Sequence, residues 1–428
     1  MWKAGIGRIA ITPEKPLWLA GYGSARPSQG KRHDLWVKAL ALEDADGRRA
    51  VIVTSDLVGF SKEMFDRVCA VARQRYGLDH SQLMLTASHN HCAPVTTGVL
   101  PDYYPLDAAQ WRQGDDYTRW LEPRLVEVIG EALGRLAPAT LLAGEGTAGF
   151  AANRRDNPEA EMPRRLAEGT LEGPVDHSVP VLAVYSPNGE LLAVAFGYAC
   201  HPTTLSDQYW CGDYPGYAQV ALEKRYPGAA ALFWTGCGGD QNPVLRHTVA
   251  LCEQHGIQLA EAVEKTLARP LRPVAPRLRT AFTFVPLEFE RPATREEVER
   301  DAGADGVLGR WGQRMRRLLD AGETLPRGVQ YGVQAWRLGE QLWIALGAEA
   351  VVDYSLRFKR EFGPQTWVCG YAHDMVGYVP SRRVWDEGGY EGGFLYEYGW
   401  LAYRWAPDVE DRVVAAVAGV VRQVCSAR

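Results

Sequence analysis

Two histidines stand two residues apart in Thr86-Ala87-Ser88-His89-Asn90-His91-Cys92-Ala93-Pro94, directly after the apolar run Leu83 to Leu85. In extended backbone this spacing puts both imidazoles on one side of the chain, so His89 and His91 can converge on one ion or one reacting group. Histidine ligates metals and titrates near neutrality, which suits either task. Further along, His201 lies in Cys200-His201-Pro202-Thr203-Thr204 and Glu349 in Gly347-Ala348-Glu349. His89 and His201 would supply two nitrogens and Glu349 an oxygen, a set that suits zinc and leaves a position for water or substrate. Such an ion brings the pKa of its water to about 7 and polarises a carbonyl, which serves hydrolysis without an organic cofactor. The three residues are far apart in the chain and match no compact signature such as HExxH. The competing reading is therefore histidines that are simply hydrogen-bonded within the fold.

The elements that must position these residues read as strands alternating with helices. Gly5 to Ile11 is a short strand. Leu35 to Leu42 and Ala50 to Ser55 form a hairpin across Asp46-Gly47, and Asp56 follows its second strand. Ser61 to Tyr76 is an amphipathic helix, capped by Ser61 and stopped by Gly77. After the strand that carries the histidine pair comes a Pro- and Tyr-rich loop, then a helix from Trp120 to Leu136 and a strand from Leu141 to Phe150. A long polar excursion begins at Asn153-Arg154-Arg155-Asp156. Pro180 to Tyr185 pairs with Leu191 to Tyr198 across Pro187-Asn188-Gly189, a strong hairpin signal. Tyr214 to Arg225 is helical, and the strand Ala230 to Trp234 opens into Thr235-Gly236-Cys237-Gly238-Gly239-Asp240-Gln241-Asn242-Pro243. A helix from Leu251 to Leu267, strands through Phe289 and a charged helical stretch from Thr294 to Ala321 follow. Val329 to Leu338 and Gln341 to Leu346 make another hairpin, which delivers Glu349 at the head of a helix. The strand Trp367 to Gly370 opens into Tyr371-Ala372-His373-Asp374-Met375-Val376-Gly377-Tyr378, and the last helix runs from Pro407 to Val424. The expected class is α/β, with mixed sheets flanked by helices. His89/His91, His201, Asp240 and Glu349 each follow an apolar strand, and in open α/β sheets ligands bind outside the carboxyl ends of strands, where such loops gather.

With 428 residues, 46% of them hydrophobic, the chain can bury a large core. Repeats, low-complexity segments and a clear linker are absent, which favours one large domain. A net charge of -5 argues against a nucleic-acid or anionic-membrane partner, and a small-molecule substrate fits better. The N-terminus has no apolar signal region and no apolar stretch approaches the roughly 20 residues of a membrane span, so the expected location is cytoplasmic. The eight cysteines are scattered without a CxxC pair and are expected to be reduced. A homo-oligomer stays open.

Taken in order, Gly5-Ile6-Gly7-Arg8-Ile9-Ala10-Ile11-Thr12-Pro13, Ser88-His89-Asn90-His91, Asn153-Arg154, Ala199-Cys200-His201-Pro202, Gly239-Asp240-Gln241-Asn242-Pro243, Gly347-Ala348-Glu349 and Asp374-Met375-Val376-Gly377-Tyr378 resemble the catalytic domain of the neutral, non-lysosomal ceramidases. Each motif is short; their joint occurrence in this order over nearly the whole chain carries the resemblance. It implies a zinc-dependent hydrolase of carbon-nitrogen amide bonds. By resemblance His89, His201, Glu349 and Tyr378 fall at the zinc ligands. His91, Arg154 and Tyr390 fall at groups that bind and polarise the scissile amide, Tyr390 by its spacing in Gly388-Gly389-Tyr390-Glu391-Gly392.

Two departures shape the expectation. The family's loop reads Gly-Asp-Val-Ser-Pro-Asn with a catalytic serine, whereas here Asn242 takes the serine's place. Its amide can donate to an oxyanion but cannot attack, which leaves water activated by the metal, with His91 as proton shuttle. The chain is also expected to do without the family's C-terminal immunoglobulin-like module and secretion signal, with residues 1–428 forming one hydrolase domain that acts on a smaller, water-soluble amide. An ester, lactone or glycoside at the same metal, and a non-catalytic binding protein that has lost the serine, are the alternatives. Asp240 would cap the following turn or, preferentially, hold His91 or His201. Asp56 is at most a supporting residue. His33 and His373 are expected at a pocket wall or the surface. Cys237 as a nucleophile lacks an evident partner, and the Gly-rich loop lacks the Gly-Lys-Ser/Thr ending of a phosphate cradle.

Overall fold

The computed structural model describes residues 1–393 and 404–426. Its main sheet has thirteen strands among the described residues, and its topology is mixed. Three strand-helix-strand units supply the parallel pairs. Arg49–Ser55 leads through the helix Lys62–Tyr76 to Leu83–Ala87. Leu191–Tyr198 leads through Asp213–Arg225 to Ala230–Thr235. Gln341–Gly347 leads through Val352–Phe362 to Trp367–Ala372. A parallel pair needs such a crossover, and the crossover leaves both strands' carboxyl ends at one edge of the sheet. The units meet at their strands' carboxyl ends, the first and third running antiparallel. Ala372 pairs with Thr86, Cys369 bridges Gly236, and Thr235 Oγ1 donates to the Ser88 carbonyl at 2.8 Å.

Local rules account for most boundaries. Ser61 caps its helix by accepting from the Met64 amide, and Gly77 ends it in left-handed conformation at φ 68°. The hairpin Trp36–Glu43 with Arg49–Ser55 is antiparallel, and the one expected from Pro187-Asn188-Gly189 joins Ser178–Tyr185 to Leu191–Tyr198. Two helices differ from expectation. The helix expected at Trp120 begins at Ala108, because Asp107 and Gln110 form a reciprocal capping box, and it continues through Pro123 to Gly134. The charged stretch is two helices, Arg295–Ala302 and Gly306–Asp320, parted where Gly306 takes φ 71°.

The central core is aromatic. Trp343 packs against Trp234 with ring centroids 4.4 Å apart and against Trp367 at 5.4 Å, among apolar residues from both halves of the sheet. The last helix, Val409–Ser426, lays a row of buried valines on a second core cluster. Among the described residues no helix is long and apolar enough to cross a membrane.

Candidate metal centre

Five loops that follow strands of the three units meet where the strands' carboxyl ends converge. His89 follows Leu83–Ala87, but the strand has ended before it, and His89 takes φ 60°. The two imidazoles therefore meet through a turn, not through the alternation of an extended strand. Their ring centroids are 4.9 Å apart and His91 Nε2 lies 3.2 Å from His89 Nε2. Asn90 fixes the turn by donating to the Cys211 carbonyl at 2.6 Å and accepting from the Cys92 amide. Gly21 backs it. A Cβ there would lie 2.2 Å from the His91 ring, so only glycine lets that loop close over the imidazole.

The glycine-rich loop works the same way at larger scale. A Cβ on Gly238 would meet the backbone of Cys200 at 2.9 Å, and one on Gly239 the Glu349 carbonyl at 2.7 Å. Bare glycines let the loop bring the His201 and Glu349 segments together. Gly238 also presents its carbonyl to His201 Nδ1 at 2.6 Å, and the Val58 carbonyl does the same for His89 Nδ1 at 2.7 Å. A carbonyl can only accept, so both Nδ1 atoms carry the hydrogen and both Nε2 lone pairs face inward. There they meet Glu349 Oε2, 2.9 Å from His201 Nε2 and 3.2 Å from His89 Nε2.

One ligand atom from each of His89, His201 and Glu349 lies within 4.8 Å of the others, all buried. Burial, reinforced by Arg154, holds the His201 imidazole at about 4 and hence neutral. Glu349 Oε1 is also buried and has no hydrogen-bond partner among the described residues. Three electron pairs facing one another beside an orphaned carboxylate oxygen repel unless a cation lies among them, so the residues fit a divalent ion.

Around this centre the other expected residues separate. Arg154 Nη2 donates to Tyr378 Oη at 2.8 Å, Nε to Glu391 at 2.7 Å and Nη1 to Asn242 Oδ1 at 3.3 Å. Tyr378 Oη lies 3.5 Å from His201 Nε2. Burial pushes its phenol well above the ordinary value, with Arg154 working against burial. Tyr390 is 36% exposed and lies tilted against Tyr378 at a centroid distance of 5.2 Å, so it stands at the mouth. Asn242, its oxygen held by Arg154 and Thr203, keeps its amide nitrogen available to donate. His91 Nδ1 is buried without a partner among the described residues, and burial depresses its imidazole strongly.

Asp240 corrects an expectation. Its carboxylate accepts from the Val352 amide at 2.8 Å and from Asn153 Nδ2 at 2.9 Å, and reaches neither His91 nor His201. It caps the helix Val352–Phe362 across the chain, while carbonyls hold His89 and His201. Asp56 accepts from the Trp36 amide and closes a hairpin. His33 accepts from the Gly212 amide at 2.7 Å and His373 is fully buried among Phe65 and Phe282; neither lines the pocket. Cys237 is buried and its thiol is pushed up, which removes a thiolate nucleophile.

The centre opens into a pocket of about 160 Å³, whose lining also includes Tyr22, Leu100, Tyr103, Thr203 and Arg246. A wider cleft of about 750 Å³ adjoins it across Arg154, Asn242, Arg246 and Tyr390. Sequence reasoning passed over Arg246 and Glu391. Glu391 had a readable sign, since it directly follows Tyr390 and the doublet Arg154-Arg155 needs a counter-charge; Arg155 donates to it at 2.7 Å.

Comparison with known proteins agrees with this architecture. The family model for the N-terminal part of the neutral/alkaline non-lysosomal ceramidases matches residues 2–259, which include His89, His201 and Asn242. The neutral ceramidase from Pseudomonas aeruginosa shares the fold at a TM-score of 0.76 and 21% identity, over 99% of this chain and 74% of that one. A ceramidase complexed with C2 does so at 0.75 and 20%, over 98% and 75%. No curated protein sequence matches the chain.

Proposed function

The chain belongs to the neutral/alkaline non-lysosomal ceramidase family, and from that membership we propose that it is a zinc-dependent hydrolase that cleaves a carbon-nitrogen amide bond in a small substrate. The observation that carries the reading is the convergence of His89 Nε2, His201 Nε2 and Glu349 Oε2 beside the unpartnered Glu349 Oε1. His89, His201 and Glu349 would hold the ion, with Tyr378 as a fourth ligand. When bound, it supplies an acidified water and polarises a carbonyl.

The remaining residues have separable tasks. His91 is the proton carrier, taking a proton as the carbonyl is attacked and returning it to the leaving amine. Asn242 Nδ2 and Tyr390 donate to the developing oxyanion. Arg154 orients both Tyr378 and Asn242 by one guanidinium, which keeps the donors fixed before reaction. Asp240 acts at one remove, by holding the Asn153 side chain and the head of the helix that follows Glu349. The narrow inner pocket supports a short acyl or amine fragment next to the ion. Cytoplasmic placement and action of residues 1–428 as one unit belong to the same proposal.

The test is a panel of short N-acyl amides and their ester twins, with metal content measured on the same preparation. Turnover of amides that follows zinc content and is lost in His91→Ala supports the reading. Ester cleavage without amide cleavage would move the bond, and binding without any turnover would overturn the enzyme.

A further inference from the structure

We propose that the substrate carries a carboxylate close to its scissile bond and that Arg246 selects it. The inference rests on the hydrolase reading and adds the chemical class. Arg246 is one of only four residues that line both the inner pocket and the outer cleft among the described residues. Its side chain is 11% exposed, so its charge is largely removed from water yet faces both cavities. Two contacts fix the guanidinium: Nε donates to the Thr203 carbonyl at 2.7 Å and Nη1 to Glu159 at 3.0 Å. It also lies against the Tyr22 hydroxyl.

Glu159 is a weak neutraliser. Its side chain is 58% exposed and it is shared with His247, so water screens the pair. Arg154, by contrast, is met by the buried Glu391. Among the charged residues that line the inner pocket, Arg154, Arg246 and Glu349, Arg246 is therefore the one cation whose counter-charge is screened by water, in a chain whose net charge is -5. Docking an uncharged fragment there would take away the remaining solvent contact of Arg246 without replacing it, which is costly for a guanidinium already only 11% exposed. A carboxylate replaces that contact with a charge-assisted, fork-shaped pair.

Size fixes where the carboxylate lies. About 160 Å³ holds roughly five water molecules' worth of volume, so only a short fragment fits beside the ion. A group reaching Arg246 at the boundary must be within a few bonds of the cleaved one. The carboxylate can belong to the leaving amine, as in an N-acyl amino acid, or to the acyl group, as in the half-amide of a dicarboxylic acid.

Matched twins test this on the zinc-loaded full chain. N-butanoylglycine is compared with N-butanoylglycinamide, and N-butylsuccinamate with N-butylsuccinamide. The wild type should prefer the acid of one pair by roughly tenfold or more in kcat/KM, and that pair identifies which side carries the charge. Arg246→Gln should collapse the ratio mainly through KM, and Arg246→Lys should keep part of it. Equal rates for both twins in the wild type overturn the proposal without reference to any variant. So does a preference that survives in a folded Arg246→Gln, which would leave Arg246 as a tether for Glu159. If none of the four probes turns over, the hydrolase reading fails separately. Calorimetric titration with the same twins then decides the carboxylate claim: acid-selective binding lost in Arg246→Gln supports it, and binding without acid selectivity overturns it.

Discussion

Glu349 Oε2 lies 2.9 Å from His201 Nε2, an acceptor facing an acceptor, because the histidine's hydrogen is already given to the Gly238 carbonyl 2.6 Å away. A divalent ion between them would resolve the conflict. The chain as purified should hold close to one ion, and Glu349→Ala or His201→Ala should lose it in metal analysis. His91→Ala should keep the ion and still lose activity by about 10²- to 10⁴-fold. Chelation should lower the melting temperature of the wild type, since an ion at a hundredfold excess over its Kd contributes about 2.7 kcal/mol. A melting temperature unchanged by chelation and only a trace of metal in the wild type would remove the metal centre.

Asn242 in the serine's place is the second point at which the chemistry can be checked. Its oxygen accepts from Arg154 at 3.3 Å, and the residue lines both the inner pocket and the outer cleft. Asn242→Ala should lower kcat by about 10²-fold with KM changed far less, the signature of a donor used in the transition state. Asn242→Ser should also lose activity, because the shorter side chain gives up the Arg154 contact. A serine variant faster than the wild type would show instead that asparagine is a handicap.

The mixed α/β class, the three hairpins and the loops that hold the candidate residues were legible because turn signals part the paired strands and apolar runs end in glycine or polar residues before His89, His201, Asp240 and Glu349. What escaped reading was mostly a matter of backbone and counter-charge. The i, i+2 argument placed His89 and His91 together for the wrong reason: a positive φ at His89 does the work that strand alternation was expected to do. Asp240 looked like a support for histidine, since a carboxylate in a glycine loop suits that task, but the carbonyls of Val58 and Gly238 hold the His89 and His201 rings. Carbonyl contacts carry no side-chain signature, so no pattern of residue types reveals them. The glycines of the loop were visible, but their purpose, room for Cys200 and Glu349, depends on which segments pack there.

The pocket wall is pinned from outside. Arg314 pairs with the buried Asp102 at 2.8 Å, and Arg310 Nε donates to the Asp102 carbonyl at 2.8 Å, so the helix Gly306–Asp320 clamps the loop that supplies Leu100 and Tyr103. Asp102→Ala leaves Arg314 without its partner and should destabilise the fold by about 1–3 kcal/mol. It should also raise KM by roughly three- to tenfold at nearly constant kcat, because the loop positions substrate without touching the ion. Steady-state kinetics beside a denaturant titration separate the two effects. An unaltered KM would mean that the clamp serves stability alone.

His373 should make the fold acid-sensitive. The ring is fully buried between Phe65 and Phe282, beside the partly buried His80, and both its nitrogens lack partners among the described residues. Burial, with His80 adding to it, lowers its pKa to about 3, against about 6.5 in an unfolded chain. Above the unfolded value both states are neutral and the residue has no pH dependence. As pH falls from 6.5 toward 3 the unfolded chain binds a proton that the folded chain refuses, so stability drops by about 1.4 kcal/mol per pH unit. His373→Phe places a ring of similar shape in an aromatic box and removes both orphaned nitrogens. The variant should be at least as stable as the wild type at pH 7.5, and its advantage should grow by about 2 kcal/mol at pH 5. Urea unfolding at the two pH values measures the difference directly, and an advantage that stays constant would place the acid sensitivity elsewhere in the chain.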